Sequence, residues 1–322
     1  MHNIAFFSEV DSTGKVPRNY ENMRTEYAWY VALDSTHHFI GKLPELSDKM
    51  YDLGVVIIPK TNIEQLMQFP LIEQMRRVCK NIGFMQEGPH WYFQDYPMEQ
   101  QIWYFNTLME MDVIFAHNKS DVNYYKGLTG KKHIYQNKSL MITDEIKSTT
   151  KPEDRKDVII GGNMCRWYGG FDSYIVAQEF EENIYAPSMG RKIDREDEVG
   201  INHLPYMNWI EWMNNLSRFK YGVHLMPTHA AGTFALNCAY HGIPCIGYRG
   251  SDTQSELHPL LTVDNGDVYA ATKLAKKLKE DNSFYTHCSQ QTILIYKNSG
   301  FVEESYIYNM EQILKEVMNE SN

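Results

Sequence analysis

Twice along this chain a short apolar run gives way to a helical stretch and then to another such run. One polar, proline-containing segment separates the two series. In the first series residues 4–7, 55–58, 82–85, Val113–Ala116 and 133–135 read as strands, and the run at 55–58 is closed by Pro59. Between them the pattern predicts helices over 20–33, 62–81 and 98–111. The first has Met23, Tyr27, Tyr30 and Val31 near one face. Strands that alternate with helices in this way predict a mostly parallel sheet covered on both sides.

The second series starts after residues 143–156, a hydrophilic stretch with Pro152 that reads as an interdomain linker. Asp157-Val-Ile-Ile-Gly-Gly162 then opens a new strand with a glycine turn. A helix near 172–181, strands near 183–186 and 222–226, a helix at Thr233–His241 and a strand at 244–248 follow. Residues 267–280 and 302–318 form the last predicted helices. A chain of 322 residues exceeds the usual reach of one hydrophobic core. The division expected is therefore 1–146, a linker at 147–156, 157–300, and a terminal helix at 301–322 that crosses back to the first domain.

Composition excludes several functional classes. A formal net charge of −10 argues against a protein that holds polyanions by bulk electrostatics. Five cysteines without CxxC spacing read as reduced thiols, in keeping with a cytoplasmic protein. The first ten residues lack a basic region and a long apolar core, so they read as a strand rather than a secretory leader. No run is long enough for a membrane span. The 12 histidines are scattered, and no HxxxH or DxD pattern points to a metal.

Four stretches carry candidate chemistry. In Gly161-Gly162-Asn163-Met164-Cys165-Arg166, glycines between a strand and a helix let the backbone approach a diphosphate, and Arg166 offers charge to it. The same run would also serve as a structural turn, and its spacing is not that of a dinucleotide fingerprint. In the second stretch, His229 to Asn237, a small-residue turn at Gly232-Thr233 opens a helix at the carboxyl edge of the sheet, where ligands bind in open α/β folds. There Gly232 and Thr233 suit a phosphate and Asn237 a ribose.

The third stretch, Gln86 to Tyr96, places Glu87 at a strand end ahead of an aromatic loop. Partial desolvation there predicts a raised carboxyl pKa and a general base, with His90 and Asp95 as rivals and Trp91 as an acceptor contact. Core aromatics and solvated carboxylates would read the same way. The fourth is the loop after the first strand, which reads first as a flexible surface loop, with Asp11, Lys15 and Arg18 as acceptor-side contacts on the alternative reading.

The segment ending in His241-Gly242-Ile243-Pro244 resembles the donor-binding helix and Gly-x-Pro turn of GT-B glycosyltransferases. The resemblance implies two facing Rossmann-like domains with a cleft between them, a nucleoside-diphosphate sugar (a UDP-sugar first) as co-substrate, and no permanent cofactor. It implies donor contacts at Gly162, Asn163, Arg166, His229, Gly232, Thr233 and Asn237, and a base-holding loop at Leu204 and Tyr206. The chain departs from the family where Asn237 and His229 replace the usual acidic residues, so no retaining mechanism follows.

In overall order the chain is also similar to phage DNA glucosyltransferases that act on 5-hydroxymethylcytosine. Gly161–Arg166 looks like their phosphate loop, and Glu87 matches the strand end that carries their base. The expected function is sugar transfer to a hydroxyl acceptor, with Glu87 and Arg166 as catalytic residues. A DNA-base acceptor in a host cytoplasm, and a non-catalytic nucleotide-sugar binder, stay open as alternatives; an epimerase is a lesser one.

Overall fold

The computed structural model describes residues 2–10, 14–23, 25–59, 61–187 and 196–319. The chain divides into two compact units. Unit 1 comprises Met1–Tyr20, Thr25–Ile142 and Glu303–Asn322; unit 2 comprises Glu21–Arg24 and Thr143–Val302.

In unit 1 the strands are β1 (Ile4–Ser8), β2 (Thr36–Phe39), β3 (Tyr51–Val56), β4 (Cys79–Met85), β5 (Val113–Ala116) and β6 (Ile134–Gln136). All neighbours pair parallel, in the order β2-β1-β3-β4-β5-β6. The helices between them are α1 (Thr25–Ala32), α2 (Ile63–Gln68), α3 (Leu71–Val78), α4 (Met98–Glu110) and α5 (Lys119–Thr129). The single helix expected over 62–81 is two helices, broken at Phe69-Pro70. Proline has no N–H to continue the ladder and forces the residue before it out of helical geometry. The strand after it starts at Cys79, within the span read as helix.

The core of unit 1 is the expected product of apolar strand runs. Phe7, Val56, Ile82, Phe84, Ile114 and Ala116 are buried together with Leu108 and Tyr125 from the helices. Phe93 belongs to this core and stacks on Tyr104 with ring centroids 4.0 Å apart. Part of the aromatic loop is therefore packing rather than ligand surface.

Unit 2 holds β7 (Lys156–Ile160), β8 (Ile184–Ala186), β9 (Ile201–His203), β10 (Phe219–His224), β11 (Cys245–Tyr248) and β12 (Thr262–Val263). The order is β12-β11-β10-β7-β8-β9, again all parallel. Its helices are α6 (Gly170–Ala177), α7 (Trp209–Leu216), α8 (Thr233–His241), α9 (Asp252–Leu257), α10 (Val268–Glu280) and α11 (Asn282–Lys297). This is the doubly wound order, in which the chain reverses direction between the first and fourth strands and leaves a crevice at their carboxyl ends. The last helix, α12 (Glu303–Asn319), packs against α1 of unit 1.

The polar segment read as a linker is not a loose tether. Arg155 is buried, donating to the carbonyl oxygens of Ser217 at 3.1 Å and His241 at 2.7 Å. Thr149 adds a backbone N–H to Ser217 Oγ at 3.1 Å. The charged composition of this stretch concealed one residue whose guanidinium closes the ends of α7 and α8, where the last helical carbonyls need donors. Among the described residues no helix is long and apolar enough to cross a membrane.

Candidate functional site

In unit 2 the reversal lies between β7 and β10, which pair as far as Ile160 against Val223. Beyond β7, the Gly161 N–H still donates to Val223 O at 2.9 Å, so the first glycine prolongs the sheet edge. A Cβ there would meet the rings of His224 and Phe234 at 2.8 Å, which is why the position takes glycine. Gly162 turns the chain with φ +85°.

Asn163 is buried, and its carbonyl accepts from Gly170 N at 3.0 Å, folding the loop back onto the start of α6. Arg166 projects from this loop, exposed, with its guanidinium 4.1 Å above the Trp167 ring. Thr228 Oγ1 donates to Trp167 O at 2.7 Å and ties this loop to the one after β10.

The loop after β10 leads to α8, whose N-cap is Gly232 at φ +72° with no side-chain cap. No side chain therefore caps the positive end of this helix. The closest neighbours of a Cβ at this position would be Ser251 Oγ and Thr253, and Thr253 Oγ1 donates to Ala231 O at 2.8 Å. Ser251 is the N-cap of α9, and its carbonyl accepts from Ser255 N at 3.1 Å, yet its side chain does not cap the helix. Its buried hydroxyl has no partner among the described residues. His229 lies against Gly250, where a Cβ would sit 2.9 Å from its ring.

His224 closes β10. Burial pushes its imidazole down to about 4, so it is neutral at pH 7. Its Nε2 is without a partner among the described residues. Asn237 is buried, donates its amide N–H to Thr233 O at 3.0 Å and accepts from the Trp212 indole at 2.9 Å. Both ends of the carboxamide thus work inside the fold. Leu204 is buried with its N–H on Ala186 O at 2.9 Å, whereas Tyr206 is exposed.

In unit 1 the polar groups gather at the carboxyl ends of β4 and β5. Gln86 continues β4 with its N–H on Phe115 O at 2.9 Å, and its amide donates to Gly88 O at 2.6 Å. His90 Nδ1 lies 2.7 Å from Asp121 Oδ1, and Asn118 Nδ2 donates to Asp121 Oδ2 at 3.0 Å. Asp121 is fully buried in the first turn of α5. Burial alone would raise its carboxyl, but the hydrogen bonds from His90 and Asn118 outweigh it and hold the group below the usual range. A carboxylate on Nδ1 fixes the imidazole so that Nε2 is the basic nitrogen, and the half-buried ring packs 4.2 Å from Tyr124.

Glu87 is exposed rather than desolvated by the aromatic loop, which corrects the expected burial. It lies close enough to add to the rise of the Tyr96 phenol, which burial first and Tyr92 second push up to about 12. Trp91 is half-buried and Asp95 exposed. Lys15 is paired with Asp34. Arg18 makes a two-pronged bond to Glu303 at 2.7 and 2.9 Å. Asp11 lies outside the described residues. Among those described, no three His, Cys, Asp or Glu side chains gather as a metal-binding group.

No protein-family profile matches the chain, and no curated protein matches it in sequence. Solved structures do match. An alpha-glucosyltransferase in complex with UDP aligns over 98% of this chain and 100% of its own, at TM-score 0.65 and 11% identity. The same enzyme with UDP and a 13-mer DNA containing a HMU base aligns at TM-score 0.67 and 12% identity, over 98% and 99%. The pneumococcal O-GlcNAc transferase GtfA, with UDP and GlcNAc, aligns over 87% of this chain at TM-score 0.63 and 11% identity.

The fold is that of the GT-B glycosyltransferases. This chain spans 59% of GtfA and 57% of TarM, so GT-B proteins of quite different length share it.

The expected groups Gly162, Asn163, Arg166, His229, Gly232 and Thr233 lie on the loops and helix start that follow β7 and β10 of this GT-B fold. Three polar residues escaped the sequence reading: Asp121, His224 and Ser251. Asp121 reads as an ordinary acidic residue of a helix start and Ser251 as an ordinary cap. Only the partners they have, or lack, distinguish them.

Proposed function

We propose that the protein is a glycosyltransferase that moves a sugar from a nucleoside-diphosphate donor, a UDP-sugar first, to a hydroxyl acceptor. The observation that carries this reading is the convergence, at the reversal between β7 and β10, of the Gly161-Gly162 turn, Arg166 and the uncapped start of α8. A diphosphate there is met by backbone N–H groups, a helix dipole and a guanidinium. As the bond to the anomeric carbon breaks, negative charge grows on the leaving diphosphate. Groups already aimed at it stabilise the transition state more than the ground state.

His224, neutral at pH 7, adds no positive charge to this cluster; Arg166 supplies it. In unit 1 the His90–Asp121 pair is built to accept the acceptor's proton through Nε2. Glu87 is the competing base, and the two assignments separate by variant. On the first, His90→Ala abolishes transfer while Glu87→Gln retains most of it.

The test is release of UDP from UDP-sugars with and without hydroxyl acceptors. Acceptor-stimulated release supports the assignment. Tight donor binding with no release on any acceptor favours an inert nucleotide-sugar-binding protein instead.

A DNA-base acceptor is the second reading. It is favoured by the end-to-end length match to the alpha-glucosyltransferase seen with HMU-containing DNA. The net charge of −10 opposes it. Transfer to duplex DNA bearing hydroxymethylated pyrimidines would require the base to leave the stack. A gel shift on that duplex at two salt concentrations decides: binding that weakens with salt supports the reading, and no binding at either removes it.

A further inference from the structure

Two side-chain hydroxyls, those of Ser251 and Thr253, crowd the start of α8. The loop from β11 to α9 is pressed against the loop from β10 to α8 at successive points. His229 lies on Gly250, Ser251 and Thr253 lie on Gly232, and Thr253 Oγ1 donates to Ala231 O at 2.8 Å. The Thr253 hydroxyl is therefore engaged within the fold. Ser251 differs: the residue is only 7% exposed, and its Oγ has no hydrogen-bond partner among the described residues. A buried hydroxyl left unpaired costs free energy, so its presence calls for a reason.

Its position supplies one. A Cβ on Gly232 would sit 2.4 Å from Ser251 Oγ, so the hydroxyl lies beside the point where a capping side chain of α8 would begin. Yet no N–H of this nine-residue helix donates to it, and Gly232 brings no cap of its own. The helix start and the unpaired hydroxyl thus stand together, each with hydrogen-bonding capacity to offer an anion.

We propose that Ser251 is a donor-binding residue, whose hydroxyl donates to a phosphate oxygen of the nucleoside diphosphate held at the start of α8. The inference rests on the donor reading above and adds to it a residue from the loop after β11. A hydroxyl rotates its proton toward whatever acceptor arrives, and a bond to a charged oxygen is stronger than one to a neutral group. The proton finds its partner only when the anion is bound, so binding removes the cost of the unpaired group.

A capping hydroxyl and a ligand-binding hydroxyl predict opposite behaviour for Ser251→Ala. Loss of a working cap lowers the melting temperature by several degrees. Loss of an unpaired hydroxyl leaves the melting temperature of the unliganded chain unchanged or raises it. The backbone part of the α9 cap, Ser255 N on Ser251 O at 3.1 Å, is kept by alanine.

Calorimetric titration of the full chain with UDP, beside thermal melts, reads the difference. Ser251→Ala should weaken UDP binding about tenfold to a hundredfold, the range for a hydrogen bond to a charged group, with no fall in the unliganded melting temperature. Ser251→Cys, whose thiol is a weak donor, should weaken it too. UDP affinity unchanged in Ser251→Ala but lost in Arg166→Ala overturns the inference and leaves the donor reading standing. A wild-type chain that binds no UDP at about 1 mM overturns both. A melting temperature that falls in Ser251→Ala while UDP affinity holds assigns the hydroxyl to the fold instead. Affinity lost for a UDP-sugar but not for UDP would place the hydroxyl on the sugar, and so overturns its assignment to phosphate.

Discussion

His90 Nδ1 and Asp121 Oδ1 are 2.7 Å apart at the carboxyl ends of two adjacent strands, with the carboxylate fully buried and the ring half-buried. The pairing orients the imidazole, and its loss should change chemistry more than binding. For Asp121→Asn the expected outcome is a fall in kcat of about tenfold to a hundredfold with little change in the donor KM, in keeping with removal of an orienting group. The same variant should lose about 1–3 kcal/mol of stability, the usual worth of a charge-assisted buried hydrogen bond. Steady-state kinetics and urea melts check both. An unchanged kcat would mean that His90 is not the base.

Three buried histidines set the pH response of unit 2. Burial pushes His224, His241 and His258 down to about 4. In the unfolded chain each titrates near about 6.5. Below that value the unfolded state takes up protons that the native state refuses, so stability falls as pH drops from about 6.5 toward 4. Above 6.5 the three contribute no pH dependence. Melting temperatures at pH 7.5 and 5.0, at fixed ionic strength, should differ by several degrees with the lower value at pH 5.0. A flat profile would contradict neutral burial of these rings.

Gly232 is constrained twice, by φ +72° and by Ser251 and Thr253 crowding the site of a Cβ. Gly232→Ala is expected to cost about 1–3 kcal/mol through backbone strain and contact. It should also abolish nucleotide binding by shifting the start of α8. Denaturant melts combined with titration of UDP read the two effects separately.

Arg155 gives a fourth stability prediction. Removing its guanidinium leaves the carbonyls of Ser217 and His241 short of a buried donor. Arg155→Met should cost about 2–4 kcal/mol, the range for breaking a buried charged network. A loss below about 0.5 kcal/mol would mean that residues 147–156 behave as the exposed linker their composition suggests.

The parts of the fold legible in the sequence are those where local pattern and burial agree. The runs at 55–58 and 82–85 are short, apolar and central in their sheet; the second lies within β4, and the first overlaps the end of β3, which starts at Tyr51 and stops at Val56. Strands β2, β9 and β12 escaped because they are short outer strands with little alternation; Thr-His-His-Phe and Ile-Asn-His carry no strand signature.

The long helix over 62–81 overran because its apolar spacing continues past Pro70, and only the backbone chemistry of proline interrupts it. Glycines announce close backbone approach, and at Gly161, Gly162 and Gly232 the space a Cβ would need is taken by neighbours. The bond from Trp212 to the Asn237 carboxamide was not legible, since it comes from a helix distant in sequence. Asp121 likewise gains its character from His90, which lies 31 residues away.

The proposed donor site in unit 2 is tested most directly by a thermal-shift panel of UDP- and GDP-sugars on the wild-type chain and on Arg166→Ala. The account predicts that at least one nucleotide sugar raises the melting temperature of the wild type by several degrees at about 1 mM, as mass action requires of a ligand that binds only the native state. It also predicts that the shift is largely lost in Arg166→Ala while the unliganded melting temperature is unchanged, because Arg166 is exposed. A wild-type chain that no nucleotide sugar stabilises, or a shift that persists undiminished without the Arg166 guanidinium, would contradict it.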